Sequence, residues 1–256
     1  MTALLSWSKR AGAPLLATLA ALVLWELIVR ALEVPAILVP APTQVLSELA
    51  AFPAWFALQT LYTLWITIAG FVLATVIGVA FAVLLVEFRP FERTVFPLFV
   101  ALNSVPKVAV APLFVIWFGT GDQPKIAIAF LLAIFAIVID GVVGLRSVSP
   151  DILDLARVLR GGRLKVLWRI KLPCALPSLF AGLKVAMSLS IVGAIIGEFV
   201  SSQRGLGYVI LAAQGNFDTP RVFAAIFLLA ILGVVLIALL DVIERRVTPW
   251  KAARGH

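Results

Sequence analysis

Few residues of this chain are equipped for bond-making chemistry. There is one His, the terminal His256, and one Cys, Cys174, so a histidine metal site, a nucleophile–histidine triad and an intrachain disulfide are excluded. No G-x-x-x-x-G-K-S/T phosphate loop occurs, and Gly161-Gly162-Arg163 is not one, so the chain does not itself hydrolyse ATP. The polar pattern that stands out is at 149–173. Ser149 is a good N-cap and Pro150 suits the first helical position, with Asp151 in the first turn. Ile152, Leu155, Ala156 and Leu159 then recur at i, i+3, i+4 and i+7, with Asp151, Asp154, Arg157 and Arg160 on the other side. Gly161-Gly162 breaks this short amphipathic helix. A second stretch follows, with Leu164, Leu167 and Trp168 apolar and Arg163, Lys165 and Arg169 charged, and Leu172-Pro173 is expected to end it and open the next element. A helix this short is marginal alone, so its apolar stripe must dock on something. On the residues alone two readings stay open: a helix lying on lipid headgroups, or a knob offered to a partner.

The elements that must hold this segment follow from composition. Of 256 residues, 62% are hydrophobic and 13% charged, with a mean hydropathy of +1.11. Soluble chains carry roughly 45–50% apolar and about 25% charged residues, which excludes a soluble enzyme. Six apolar runs are long enough to cross a bilayer, near 14–32, 58–86, 91–118, 125–145, 176–200 and 222–243. The third is interrupted by Pro97, Pro106 and Pro112. The runs are continuous rather than alternating, so the fold class is all-α and not a barrel. The first run is read as an uncleaved span, because it carries Glu26 and lacks a clear cleavage site. Six spans put both termini on one side. That side collects fifteen Lys and Arg, seven of them between spans four and five, and the other has Arg30, Lys125, Arg204 and Arg221. This asymmetry places both termini in the cytoplasm. The net charge of +8 is therefore largely topological, and nucleic acid is not a partner.

Polar groups inside spans are costly and mark candidates for a pathway. Pro106 frees backbone groups that Asn103 or Ser104 can satisfy; alternatively Asn103, Ser104 and Lys107 line a route or gate. Ser188 and Ser190 suit helix–helix hydrogen bonds or ligands. Glu198 closes span five either as an interfacial carboxylate or as a gate. Lys184 can snorkel to the cytoplasmic interface. Gly70, Ala74 and Gly78, and Gly193 and Gly197, recur every four residues as close-packing faces. The outer segment Ser201–Pro220 is either a plain linker or a landing surface.

The segment Asp154-Leu155-Ala156-Arg157, Gly161 and Ile170-Lys171-Leu172-Pro173 resembles the EAA loop of bacterial ABC importer permeases, which reads Glu-Ala-Ala, three residues, Gly, nine residues, Ile-x-Leu-Pro. Asp154 stands at the Glu position and Leu155 at the second, and Arg160 falls where the strict Gly would, with Gly161-Gly162 just after. Further segments are similar to the nitrate/sulfonate/taurine branch of those permeases: Pro106, Pro112-Leu113, Trp117-Phe118-Gly119-Thr120-Gly121, Ala175-Leu176-Pro177-Ser178, Ala181-Gly182-Leu183-Lys184, Glu198-Phe199-Val200 and Gly205-Leu206-Gly207-Tyr208. Gln214-Gly215-Asn216-Phe217-Asp218-Thr219-Pro220 also looks like relatives that move thiamine-type pyrimidine precursors or riboflavin.

The resemblance implies a single permease domain over 1–256 in the bacterial inner membrane, surrounded by lipid and not itself an enzyme. The loop at 149–173 would be a coupling helix gripped by a pair of separate ATP-binding subunits, with no cofactor in this chain. Ile152, Asp154, Leu155, Ala156, Arg157, Leu159, Arg160, Gly161, Leu172 and Pro173 would carry that coupling. One chain would supply half of a pathway, so a homodimer is implied, together with an extracytoplasmic substrate-binding protein. The solute would be small and polar or anionic, nitrate/sulfonate/taurine-like or a vitamin precursor. The competing class is a self-contained channel or ion-coupled carrier, which calls for acidic groups near mid-span. Glu87, Asp140 and Asp241 lie toward predicted span ends, and only Glu26 comes near the middle.

Overall fold

The computed structural model describes the backbone of residues 2–159 and 161–252 and the side chains of 16–156, 158–159 and 161–250. Arg160 and His256 lie outside the described residues, and so does the side chain of Arg157. The described elements are helical: α1 (Thr2–Ala31), α2 (Pro42–Ala51), α3 (Pro53–Glu87), α4 (Arg89–Asn103), a short 3-10 turn (Lys107–Val110), α5 (Ala111–Phe118) and α6 (Asp122–Arg146). Then come α7 (Pro150–Val158), α8 (Arg163–Ser201), α9 (Leu206–Gly215), α10 (Thr219–Val247) and α11 (Pro249–Ala252). Prolines in the first turn open α2, α3 and α10, where a missing N–H costs nothing.

Four helices, α3, α6, α8 and α10, are long and apolar enough to cross a membrane, and a bent pair makes a possible fifth. Helix α1, which carries the expected first span, has side chains described only from Leu16 onward and is not in that count. The bent pair is the expected third span. Helix α4 and the segment Lys107–Phe118 meet at 88° rather than running straight. Pro106 is the cause: it lacks an N–H and drives Val105 away from the helical region. Pro97, by contrast, sits inside α4 without ending it.

One expectation around span five needs correction. Leu172-Pro173 does not separate the loop from the span, because α8 runs unbroken for 39 residues from Arg163 to Ser201. A π turn at Leu167–Lys171 absorbs the proline, and the Leu172 N–H donates to the Leu167 carbonyl five residues back. The wider turn relieves the crowding that the Pro173 ring would impose on the carbonyl four residues earlier. Lys184 reaches toward the end of the bundle where α10 closes. Its ammonium meets Glu244 at 2.6 Å and Asp241, both on α10.

Helix α6 is the core element, held between α3 and α8. A Cβ on Gly70 would come within 2.5 Å of the Ala129 Cβ, and one on Gly193 within 2.6 Å of the Ala129 Cα. Both small-residue faces therefore meet the same turn of α6, where backbone proximity replaces the hydrophobic drive that lipid cannot supply. The outward faces of α1, α3 and α10 carry exposed Leu19, Val23, Leu58, Val76, Val234 and Leu239, a surface suited to acyl chains.

Candidate functional site

The loop after α6 places α7 at one end of the bundle. Its backbone starts with Leu153 N–H donating to the Ser149 carbonyl at 3.4 Å. Of the expected apolar stripe, only Ala156 turns inward, at 8% exposure. Ile152, Leu155 and Leu159 are 45%, 59% and 73% exposed. The chain's own fold therefore leaves the stripe uncovered, and Asp154 shares the exposed surface. Gly161 closes the helix, its N–H donating to the Ala156 carbonyl at 2.9 Å. A Cβ there would press to 3.0 Å from that same oxygen, so the residue is matched to a tight exit. Beyond it Leu167 is buried while Leu164 and Trp168 are exposed. Leu172 and Pro173 are half-buried in the α8 rod. A cavity of about 600 Å³ separates α7 from the α3–α4 corner, lined by Glu87, Arg89, Leu153, Gly161, Arg163 and Lys171. Lys171 crosses it to Glu87 at 2.6 Å.

The bent pair forms a second feature. Asn103 and Lys107 share a cavity of about 430 Å³ with Val105, Pro106, Leu132, Phe135, Ala136, Ile139 and Leu189. The Lys107 ammonium donates to the Asn103 backbone carbonyl at 2.9 Å and to its Oδ1 at 2.8 Å, and stands 4.6 Å from the Phe135 ring centroid. It therefore also caps the carbonyl end of α4. Ser104 is exposed at the bend. Ser188 donates within α8 to the Lys184 carbonyl at 3.3 Å, and buried Ser190 donates across to the Ala129 carbonyl at 3.4 Å.

Glu198 belongs to neither place. It sits at the far end of α8 and is not an interfacial carboxylate, for its exposure is 0%. One carboxylate oxygen accepts from the Thr63 hydroxyl at 2.8 Å and the other from the Gly207 N–H at 2.7 Å. The Leu206 N–H donates to the Thr63 hydroxyl at 2.8 Å, and the Gly205 N–H to Gln59 Oε1 at 2.6 Å. Three successive N–H groups at the start of α9 are thus taken up by side chains of α3 and α8, satisfying donors that a helix start leaves open. Gly205 has φ of 99°, and a Cβ on it would collide with the Glu198 carboxylate. Only glycine fits there.

Gln59, Tyr62, Thr63 and Lys125 were not singled out by sequence. Lys125 is buried and donates to the Tyr62 oxygen at 2.8 Å, and the Tyr62 hydroxyl donates to Asp122 at 2.5 Å. These residues edge a cavity of about 550 Å³ with Ser201, Ser202 and Arg204. Lys125 also has a local ion-pair partner, Asp122 at 3.8 Å, but the hydrogen bonds of this group reach across 60 or more residues, which no local spacing announces. Glu26, the one acid near a predicted mid-span, accepts from Arg30 and from the Thr43 hydroxyl and N–H, tying α1 to the start of α2.

Comparison with known proteins bears on this architecture directly. Residues 74–249 match the family described as binding-protein-dependent transport system inner membrane component. The formylaminopyrimidine transport permease protein ThiX of Halalkalibacterium halodurans is 34% identical over 95% of this chain and 98% of its own length. The riboflavin transport system permease protein RibX of Chloroflexus aurantiacus is 34% identical over 91% and 87%, and the taurine transport system permease protein TauC of Escherichia coli 30% identical over 90% and 86%. In fold, an inward-facing MetNI methionine ABC transporter structure aligns with TM-score 0.65 at 22% identity, over 73% of this chain and 93% of that one. The all-helical bundle with its bent pair, the exposed α7 and these matches agree: the chain belongs to the binding-protein-dependent transport system inner membrane component family and is a permease subunit of an ABC importer.

Proposed function

We propose that the loop at 149–173 is the handle by which a separate pair of ATP-binding subunits moves this permease. The observation that carries this reading is the uncovered face of α7, where Ile152, Leu155 and Leu159 remain exposed on a helix too short to stand alone. A partner groove that buries those side chains would account for both. Asp154 and Arg157 would make the polar contacts, with Arg160 and Gly161 at the exit. ATP is bound by the partner. Six spans, counting α1 and the bent pair, put both termini in the cytoplasm, as the Lys and Arg distribution requires. Two copies form the pathway, with Asn103, Ser104 and Lys107 at its bend and Ser188 and Ser190 along α8. An extracytoplasmic binding protein lands on the segment Ser201–Pro220.

The solute is small and polar. Taurine, a sulfonate, nitrate, and pyrimidine or riboflavin-type precursors are the compounds to assay, since ThiX, RibX and TauC are named for formylaminopyrimidine, riboflavin and taurine transport. The test is co-purification of the permease with candidate ATPases, comparing wild type with Asp154→Lys and Gly161→Pro. Loss of the complex in both variants is expected. Complexes that survive both changes undiminished overturn the assignment of the handle.

A further inference from the structure

Helix α8 is one rod from the loop at Arg163 to the far turn at Ser201, and α3 runs beside it in the opposite sense. The two are tied at both ends. At the loop end, Lys171 and Glu87 meet at 2.6 Å, with side chains only 17% and 18% exposed. At the far end, Thr63 donates to Glu198, and Gln59 accepts from Gly205 just beyond the rod. Along α3 the ties lie about 36 Å apart and along α8 about 40 Å, at a rise of about 1.5 Å per residue. Both lengths exceed the roughly 30 Å hydrocarbon core. Between the ties α6 fills the space so closely that Gly70 and Gly193 admit no Cβ. Rods cross-tied at both ends and packed to this density shift together rather than slide past each other.

Glu198 joins three elements in this arrangement, since its two oxygens take donors from α3 and from the start of α9. We infer that Glu198 is a positioning residue for energy coupling: it makes α3, α8 and the far turn one lever, so that displacement of the loop at 149–173 reaches the surface at 201–218. This rests on the reading of the loop as the ATPase handle and of the far segment as the landing surface. The lever transmits in both directions, so a protein docking at the far turn is felt at the ATPase.

The test uses the complete complex of permease, ATPase pair and binding protein in proteoliposomes. ATP hydrolysis is measured with and without the binding protein, which is incubated with taurine or formylaminopyrimidine as probes. Glu198→Gln and Thr63→Val are expected to keep assembly and basal hydrolysis within twofold while stimulation by the binding protein falls at least tenfold. Thr63→Ser, which keeps the hydroxyl, is expected to retain stimulation. If Glu198→Gln does not assemble, Thr63→Val carries the test, because it leaves the carboxylate its Gly207 bond. An unchanged ratio of stimulated to basal hydrolysis overturns the inference. So does a fall in both rates together with the melting temperature, the mark of a merely structural role. Absence of assembly or stimulation in the wild type overturns the handle-and-landing reading, and with it the lever, before any variant is made.

Discussion

At the loop end of the bundle, α7 leaves three large apolar side chains, Ile152, Leu155 and Leu159, in the open. At the far end, the turn at 198–207 buries a carboxylate and matches it with a hydroxyl and a backbone N–H. The first is a helix face left incomplete, and the second is a turn whose polar groups are satisfied within the chain. Exposed apolar surface on a short helix is stabilised only by something that arrives, whereas a buried carboxylate is tolerated only when its partners are already built in. The contrast separates a surface made for a partner from a joint made for stiffness.

The contrast breaks most visibly at Leu155. Leu155→Asp is expected to reduce uptake at least a hundredfold, yet to change stability by no more than about 0.5 kcal/mol, as for other surface positions. Uptake in proteoliposomes and thermal melts of the detergent-solubilised permease check this; a melting drop like that of a core substitution would mean α7 packs on its own chain. Gly205→Val should do the reverse, costing about 2–4 kcal/mol of stability through collision with Glu198 and a strained φ. Denaturant unfolding reads it, and a stable variant would show that the turn is not closed. Thr63→Val should cost about 1–3 kcal/mol, because the Leu206 N–H and one Glu198 oxygen lose their buried partner. Ser188→Ala sits between the two regions and is expected to shift stability by less than about 0.5 kcal/mol and uptake by less than twofold. A larger loss of uptake would move Ser188 from a helix back-bond into the pathway.

The loop and the spans were legible because both are written locally. Pro150 opens α7 and Gly161 follows its end, and the apolar runs at 58–86, 125–145 and 222–243 fall inside α3, α6 and α10. The 88° bend at Pro106 was anticipated only as an interruption, since a proline forbids a straight helix without stating the angle. Leu172-Pro173 was misleading, because the same residue that ends many helices is absorbed here by a π turn. Glu198 stayed open between an interfacial carboxylate and a gate, because its partner Thr63 is 135 residues away.

What the sequence determined by itself is the partition: which stretches prefer lipid and which short helix is amphipathic. These depend on transfer free energies and helical periodicity, which act over a few turns. Only the tertiary structure decided that the stripe of α7 stays uncovered, that α8 is a single rod, and that Glu198 bridges α3 and α9. Those facts depend on which groups distant in sequence meet once α6 is packed between its neighbours, and no local spacing encodes such a meeting.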